Sequence, residues 1–535
     1  MRRRLVCACV PALLLACGGV RAASRPNIVL IVADDMGYSD LGCYGGEIAT
    51  PELDGLARNG LRFTQFYNTA RCWPTRAALM LGYYPQQVAM DPPGRPGPEW
   101  AQALPKFLKP LGYRAYHSGK WHVHVVPRTC ADGGFDRSYR LEDYDRNFNP
   151  AQLIEDDKPA PPVAPGGGYY TATAFADHAI RCLKEHAETC AGQPFFTYLA
   201  FTTPHFPLQA PPDDIARYRD TYLAGWDAVR AERHRRQLEL GIVRCALSPL
   251  EPRIRAPGNF ADVALRLGPG EIAHARPWAE LTPEQQRFQA SKMAIHAAMV
   301  DRIDREIGRV LAQVRAMGAW DNTVVLFLSD NGASAEILIR GDGHSPSAAP
   351  GSAGSFLCLG PGWSTASNTP FRRHKIWVHE GGISTPLIVH WPRGIAARGE
   401  LRRDIGHVID ILPTIYELAA GAAPAPREGA PPFPGRSLMP AFARDGAVAR
   451  DVLFFHHSGN RALRAGDWKI VSAGIDGNRW SLYNLAEDRA EGRDLASEKP
   501  ALVSELAETW RRLEHEFRRQ AEKPVEKEAR KNETR

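Results

Sequence analysis

Acidic side chains follow two long apolar runs that lie far apart in the sequence. Asp34 and Asp35 end one run near the start of the chain, and Asp330 and Asn331 end another. No histidine or cysteine stands beside them in the sequence. Such a set of oxygen atoms suits a hard cation better than zinc, and Ca²⁺ is favoured over Mg²⁺. Each aspartate alone could cap a loop or helix. Burying several carboxylates together without a cation is costly, and this favours a metal site.

A cysteine stands at the predicted start of a helix. Pro74 fits the first helical turn and the residues after Arg76 continue it, so Cys72 should face solvent where the helix dipole favours an anion. Cysteine-dependent phosphatases need a longer spacing between cysteine and arginine than the three residues found here. That chemistry is therefore disfavoured. Since most lone cysteines are structural, the role of Cys72 depends on which other groups converge on it.

The strands that would position these residues alternate with helices. Apolar, β-branched runs at 28–33 and 323–328 are typical of strands buried on both faces of a parallel sheet. Further strands are predicted at 195–201 and 386–390, and helical periodicity covers 100–108, 170–187 and 287–315. This alternation predicts an α/β fold with a large, mostly parallel mixed sheet sandwiched by helices. In such folds ligands collect at the carboxyl ends of the strands.

Composition predicts a leader, a large catalytic domain and a small C-terminal domain. Residues 1–23 have the positive start, apolar run and small residues of a secretory signal peptide, which predicts an exported, periplasmic or secreted protein. The run ending at Cys17 also resembles a lipoprotein box, so a lipid anchor is an alternative. Residues 24–418 form the predicted catalytic domain, with a charged insertion at about 213–286. Residues 419–535 form an α+β domain with an antiparallel sheet, a helix and a charged tail.

The overall charge limits the classes of partner. The 535 residues carry a formal net charge of +6, and the isoelectric point is about 8.7. Because lysine and arginine are spread along the chain, nucleic acid is not a predicted partner, whereas an anionic substrate is compatible. No segment after the leader is long and apolar enough to predict a transmembrane span.

The cysteine count indicates at least one unpaired thiol. Of the ten cysteines, three lie in the leader, which leaves seven. An odd number in an oxidising compartment means that one is unpaired, and Cys72 is the candidate. Cys182 and Cys190 are close enough in sequence to form a disulfide, although buried free thiols fit equally well.

The segment Cys72-x-Pro-Thr-Arg-Ala-Ala-Leu, followed by Gly82, resembles the signature of type I, formylglycine-dependent sulfatases. Other segments resemble the same family in the same order: NIVLIVADDMGYSDLGCYG, GYRAYHSGKWH, TTPHFPLQAP, VVLFLSDNGA, NTPFRRHKIWVHEGGISTPLIVHWP and ALRAGDWKIV. The likeness extends from about residue 27 to the last helix and is closest to the arylsulfatase-like branch. It implies an alkaline-phosphatase-like fold and a sulfuric ester hydrolase that acts on an aryl or carbohydrate sulfate ester.

The resemblance also implies a modified residue and a cofactor. Cys72 would be oxidised during export, by a formylglycine-generating enzyme, to 3-oxoalanine, and the aldehyde hydrate would be the nucleophile. A hydrate has a second hydroxyl group whose deprotonation expels sulfate, and neither a serine nor a thiol has one. The implied Ca²⁺ ligands are Asp34, Asp35, Asp330, Asn331 and the modified Cys72.

The remaining catalytic residues are likewise implied by the resemblance. Arg76 and Lys120 would hold and polarise the nucleophile, and His122 would accept a proton from its second hydroxyl group. His205 and Lys375 would bind the sulfate group and assist departure of the alcohol. Taken singly, these lysines could equally be surface residues and these histidines packed or loop-constraining residues.

Two other functions are compatible with the same residues. Phosphate and sulfate esters are similar tetrahedral anions, so a phosphodiesterase or phosphonate monoester hydrolase is one alternative. A non-catalytic binder of sulfated glycans, whose cysteine is never modified, is the other. Two metal-binding segments and two lysines favour a hydrolase, because a binder needs neither set.

Overall fold

The computed structural model describes residues 25–164, 166–256, 260–341 and 343–522. The predicted signal peptide and Cys17 therefore lie outside the described residues, as does the charged tail from residue 523. The strands of the large sheet within the described residues are β1 Asn27–Ala33, β2 Leu61–Tyr67, β3 Arg114–Gly119, β4 Arg137–Leu141, β5 Leu153–Glu155, β6 Lys158–Ala160, β7 Phe195–Ala200, β8 Thr323–Ser329, β9 Ser384–His390, β10 Glu400–Arg402 and β11 Gly406–His407.

The strand order of the large sheet is β10-β2-β9-β8-β1-β7-β3-β4-β5-β6, and β11 pairs with β2. The central strands β8, β1, β7, β3 and β4 run parallel to one another. Strand β9 is antiparallel to both of its neighbours, β2 and β8. The predicted mixed, mostly parallel sheet is thus confirmed, and the carboxyl ends of its central strands share one edge.

Helices cover both faces of this sheet. The α-helices of the described residues are α1 Pro51–Arg58, α2 Cys72–Leu81, α3 Leu104–Leu108, α4 Thr171–Thr189, α5 Pro212–Ala216, α6 Gly225–Glu239, α7 Phe260–Leu267, α8 Pro283–Ala316, α9 Gly360–Ser367, α10 Glu380–Ile383, α11 Ile411–Ala420, α12 Met439–Ala443 and α13 Pro500–Ala521. Along β1, Val29 and Ile31 pack with α4 and α8, whereas Ile28 and Leu30 pack with α2 and α11. This alternation explains why the strand is apolar from Ile28 to Ala33.

Local signals set the limits of the long helices. Helix α8 starts earlier than predicted, at Pro283, because Thr282 and Gln285 form a capping box and proline fits the first turn. Helix α2 ends at Gly82, which has the left-handed φ of 74° that glycine adopts readily. The helix predicted at 100–108 is wrong in its first half, since only Leu104–Leu108 is helical.

A second, four-stranded antiparallel sheet lies near the C-terminus, as predicted. Its strands are β12 Leu453–His457, β13 Asn460–Ala465, β14 Trp468–Ser472 and β15 Ser481–Asn484, in that order. Helix α13 packs against β13 and β14 and contributes Trp510 and Phe517 to the same core as Leu463. The domain boundaries at 418 and 419 stay a prediction.

A buried ionic network joins the small sheet to the large domain. The ammonium group of Lys469, on β14, lies 2.9 Å from a carboxylate oxygen of Glu380 and 2.8 Å from one of Glu491. Arg489 also pairs with Glu380, at 3.1 Å. Lys469 and both glutamates are fully buried. Glu380 begins helix α10, five residues after Lys375, so the network holds the segment that follows this candidate catalytic residue.

The described residues also show the state of the cysteines and the composition of the helices. All seven cysteines outside the leader are free thiols, so Cys182 and Cys190 do not pair and the odd count does not single out Cys72. Among the described helices, none combines the length and the apolar composition that crossing a bilayer requires.

Buried His178 predicts a pH dependence of stability. Its Nδ1 atom lies 2.6 Å from the Ser118 hydroxyl oxygen, and burial lowers the pKa of His178 from 6.5 to about 3. Between pH 6.5 and about pH 3, His178 is protonated in the unfolded chain but not in the folded chain. Stability therefore falls as the pH falls toward 3. This one group contributes a slope of about 1.4 kcal/mol per pH unit. We expect the free energy of unfolding of the His178→Gln variant, measured by urea titration, to fall less between about pH 6 and about pH 4 than that of the wild type. An equal fall in the two proteins would contradict this.

Candidate functional site

The predicted site residues meet at the carboxyl edge of the central strands. Strands β1 and β8 pair in register up to Ala33 and Ser329, so the two acidic segments leave the sheet side by side. Strand β3 ends at Gly119, next to β7, and delivers Lys120 to the same edge. Helix α2 begins there with Cys72. Residues from distant parts of the sequence therefore converge because parallel strands end together.

The acidic residues form a compact, buried cluster. Asp34, Asp330 and Asn331 are fully buried and Asp35 is 3% exposed. The Asp35 backbone N–H donates to an Asp330 carboxylate oxygen at 3.3 Å, and the Asn331 amide donates to Asp35 at 2.6 Å. Burial, followed by the Asp34 carboxylate, raises the pKa of Asp330 to about 7. Like charges this close resist simultaneous ionisation unless a cation balances them.

Three basic side chains surround the carboxylates. Lys120 Nζ lies 2.5 Å from Asp34 Oδ2, and Arg76 Nε lies 2.8 Å from Asp330 Oδ2. Lys375 Nζ lies 2.8 Å from Asp35 Oδ2. Burial alone would raise the pKa of Asp34, but Lys120 and the other cations hold it well below its usual range. The site thus alternates positive and negative groups in a volume closed to water, where each charge acts strongly on its neighbours.

Cys72 lies within this charged site and is buried, so the expectation that it faces solvent is wrong. Only 3% of the residue is exposed. The helix start that carries it lies at the strand edge, where Lys120, Lys375, Asp34 and Asp330 all act on the thiol. Burial raises the pKa of the Cys72 thiol despite the two lysines. A protonated thiol is a weak nucleophile, so the unmodified cysteine is a poor catalyst.

The two predicted histidines contact different groups. His205 Nε2 is 3.7 Å from Asp35 Oδ2, and His205 Nδ1 is 2.6 Å from the Phe206 carbonyl oxygen. Burial lowers the pKa of His205 to about 4, which favours the neutral ring. His122 stacks edge-on against Trp73 and has a left-handed φ of 55°. Its buried Nδ1 atom has no hydrogen-bond partner among the described residues.

The donor atoms fit a hard cation. Asp34 Oδ1 and Asn331 Oδ1 are both buried and have no hydrogen-bond partner among the described residues. Ligand atoms of Asp34, Asp35 and His205 lie within 4.8 Å of one another. Unpartnered buried oxygens are costly unless a ligand takes them up, and an oxygen-rich set is what Ca²⁺ prefers. The cluster therefore suits a calcium ion held mainly by carboxylate and amide oxygens.

Sequence reasoning did not predict three other side chains at this site. Glu336 is 7% exposed and pairs with both Lys375, at 3.3 Å, and Arg71, at 3.2 Å. The Lys120 ammonium lies 4.7 Å from the centre of the Tyr144 ring, which also contacts His122. Arg71 could have been suspected because it precedes Cys72. Glu336 and Tyr144 lie in loops whose sequence carries no signal for the residues they meet.

Comparison with known proteins identifies the family. The family model described as Sulfatase matches residues 26–422, and the model described as N-sulphoglucosamine sulphohydrolase, C-terminal, matches residues 372–519. An uncharacterized sulfatase from Schizosaccharomyces pombe is 33% identical, over 91% of this chain and 93% of its own length. The arylsulfatase of Klebsiella aerogenes is 32% identical, over 78% of this chain and 92% of its own length.

A solved structure shares the fold. The crystal structure of Ps i-CgsB in complex with k-i-k-neocarrahexaose matches with a TM-score of 0.65 and 23% identity, and it covers 94% of this chain and 96% of that chain. The family model covers most of the sequence, and both relatives match it over nearly their full length. The chain therefore belongs to the type I sulfatase family of the alkaline phosphatase superfamily, and it is a sulfatase.

Proposed function

We propose that this sulfatase cleaves an aryl or carbohydrate sulfate ester with a formylglycine made from Cys72 and a calcium ion. The observation that carries the proposal is the start of helix α2, which brings Cys72 into the buried acidic and basic cluster. Asp34, Asp35, Asp330 and Asn331 would hold the ion, together with the modified Cys72. When bound, the ion supplies charge neutralisation at the sulfate oxygens.

The nucleophile needs two hydroxyl groups on one carbon. Formylglycine hydrate supplies them, one to attack sulfur and one whose deprotonation allows sulfate to leave. Arg76 and Lys120 would orient this group, and carboxylates of the cluster hold both side chains in place. The neutral His122 ring has an unpartnered nitrogen available to accept the proton. Burial lowers the pKa of His122 well below its ordinary value, so the ring is neutral and one of its two nitrogens carries no proton.

The sulfate group would meet Lys375 and His205. Burial alone would lower the pKa of Lys375, but Asp35 and Glu336 raise it, so its ammonium group stays charged. A fixed ammonium group stabilises the negative charge that develops on the sulfuryl and leaving oxygens. Because His205 Nδ1–H donates to the Phe206 carbonyl oxygen, the neutral ring has no second N–H, and Nε2 would need a proton before it could donate to the leaving oxygen. Because the similar solved structure holds an oligosaccharide, carbohydrate sulfates stay within the proposed substrate class beside aryl sulfates.

Paired assays with sulfate and phosphate esters test the proposed activity. We expect the matured enzyme to hydrolyse 4-nitrophenyl sulfate with a higher kcat/KM than 4-nitrophenyl phosphate or its phosphonate and diester analogues. A screen of sulfated mono- and oligosaccharides, read by release of free sulfate, then defines the natural class. A large preference for the phosphorus esters would overturn the proposal. Glycan binding that is unaffected by Cys72→Ala, with no turnover of any ester, would support a non-catalytic binder instead.

A further inference from the structure

Glu336 contacts two basic residues of the site but belongs to none of the segments that resemble the family. It follows β8 by a short loop, five residues after Asn331. Its Oε2 atom lies 3.3 Å from Lys375 Nζ, and its Oε1 atom lies 3.2 Å from an Arg71 guanidinium nitrogen. One carboxylate therefore links a candidate sulfate-binding lysine to the residue that precedes Cys72.

The loop itself holds this carboxylate in place. Ser334 Oγ donates to Glu336 Oε2 at 3.0 Å and accepts the Glu336 backbone N–H at 3.2 Å. Burial alone would raise the pKa of Glu336, but Lys375 and Arg71 lower it to about 2. The side chain is thus held by three partners and negatively charged at neutral pH.

The two carboxylate partners of Lys375 differ in what else they contact. Asp35 lies in the acidic cluster, where its carboxylate also accepts from Asn331 and belongs to the candidate calcium ligands. Within the described residues, the hydrogen-bond and ion-pair partners of the Glu336 carboxylate are Arg71, Ser334 and Lys375, none of them such a ligand. Glu336 can therefore fix Lys375 without competing for the cation.

We propose that Glu336 is a positioning residue, whose carboxylate orients the Lys375 ammonium group toward the sulfate group of the substrate and anchors Arg71. This inference rests on the proposed function, because it assigns Lys375 to the sulfate group. A free lysine has several rotatable bonds, and its charge stabilises a transition state well only when it is held before the reaction. Holding Arg71 at the same time fixes the start of helix α2 next to Cys72.

A double-mutant cycle tests this role. The variants are Glu336→Gln, Glu336→Asp, Lys375→Ala and the double variant Glu336→Gln/Lys375→Ala, assayed with 4-nitrophenyl sulfate as matured enzymes. We expect Glu336→Gln to lower kcat about 10- to 100-fold, the range typical of residues that orient a functional group. The loss should fall mainly on kcat, and Glu336→Asp should restore part of it. In the Lys375→Ala background the same change should have little further effect, since both variants remove one interaction.

Several results would overturn the inference. Glu336→Gln could leave kcat unchanged, or its loss could multiply with that of Lys375→Ala, which would show that the residue acts elsewhere. Glu47→Gln is the matched control, because Glu47 is another glutamate shared by an arginine and a hydroxyl group, at Arg233 and Tyr222. It should leave kcat unchanged, and a loss equal to that of Glu336→Gln would mean a general structural effect. A wild-type enzyme that hydrolyses no sulfate ester would contradict the proposed function itself, and this inference with it.

Discussion

The Cys72→Ala variant should hydrolyse sulfate esters with a kcat at least about 10⁴-fold lower than that of the wild type, when both are expressed with a competent maturation system. The expected loss is this large because alanine cannot become the aldehyde that supplies the attacking oxygen. Binding of the ester should change far less, since Lys375 and His205 remain in place. Steady-state kinetics and the inhibition constant of a sulfate ester analogue measure the two effects separately.

Mass spectrometry and a second cysteine variant decide what this loss means. The wild-type peptide that contains Cys72 should carry an aldehyde in place of the thiol. Cys245→Ala changes another buried free cysteine outside the cluster and should keep full activity. An active enzyme whose Cys72 is entirely unmodified would contradict the formylglycine mechanism, because that mechanism takes its attacking oxygen from an aldehyde hydrate at this position.

Removing divalent cations lowers both activity and stability, and Ca²⁺ restores both. Without a cation, the carboxylates of Asp34, Asp35 and Asp330 share one buried volume, and burial, followed by repulsion from the Asp34 carboxylate, raises the pKa of Asp330. We expect chelation to reduce kcat at least about 100-fold, because the ion would neutralise charge that develops on the sulfuryl oxygens. Ca²⁺ at about 100 times its Kd should then stabilise the fold by about 2.7 kcal/mol, measured as a rise in Tm.

Two aspartate variants separate the site from general ion effects. Asp330→Asn removes one charge of the cluster and should abolish most of the Ca²⁺-dependent rise in Tm. Asp177→Asn, at a half-exposed ion pair with Arg309, should keep the full rise. If the chelated wild type kept its activity, or if both variants responded alike, the calcium assignment would be wrong. A stronger response to Mg²⁺ than to Ca²⁺ would change the identity of the ion but not its site.

Long apolar runs made the centre of the fold predictable. Strands β1 and β8 are buried on both faces, so apolar residues fill 28–33 and 324–328, and aspartates follow both strands. The short outer strands gave no such signal, because their burial is mixed and their residues include arginine, lysine and proline. Strand β3 was also missed, since its buried side chains include His117 and Ser118, which reads as a polar stretch.

The site was predictable where its residues belong to a short sequence motif. Cys72 and Arg76 are one helical turn apart, and Asp34 directly follows a strand, so spacing alone indicates how they lie. Glu336 could not be found in this way, because its importance depends on contacts with residues 39 positions later and 265 positions earlier. The burial of Cys72 was likewise invisible, since a helix start faces solvent unless other loops cover it.

The buried pairing of Lys469 with Glu380 links the small sheet to the segment that follows Lys375. A chain cut before β12 would leave Glu380 without Lys469 and Arg489, the two cations that pair with it. Loss of one partner of a buried ion pair typically costs about 3 to 5 kcal/mol. The C-terminal region is therefore not an exchangeable module. An exchange of C-terminal regions between relatives would have to carry both sides of this network, Glu380 as well as Lys469.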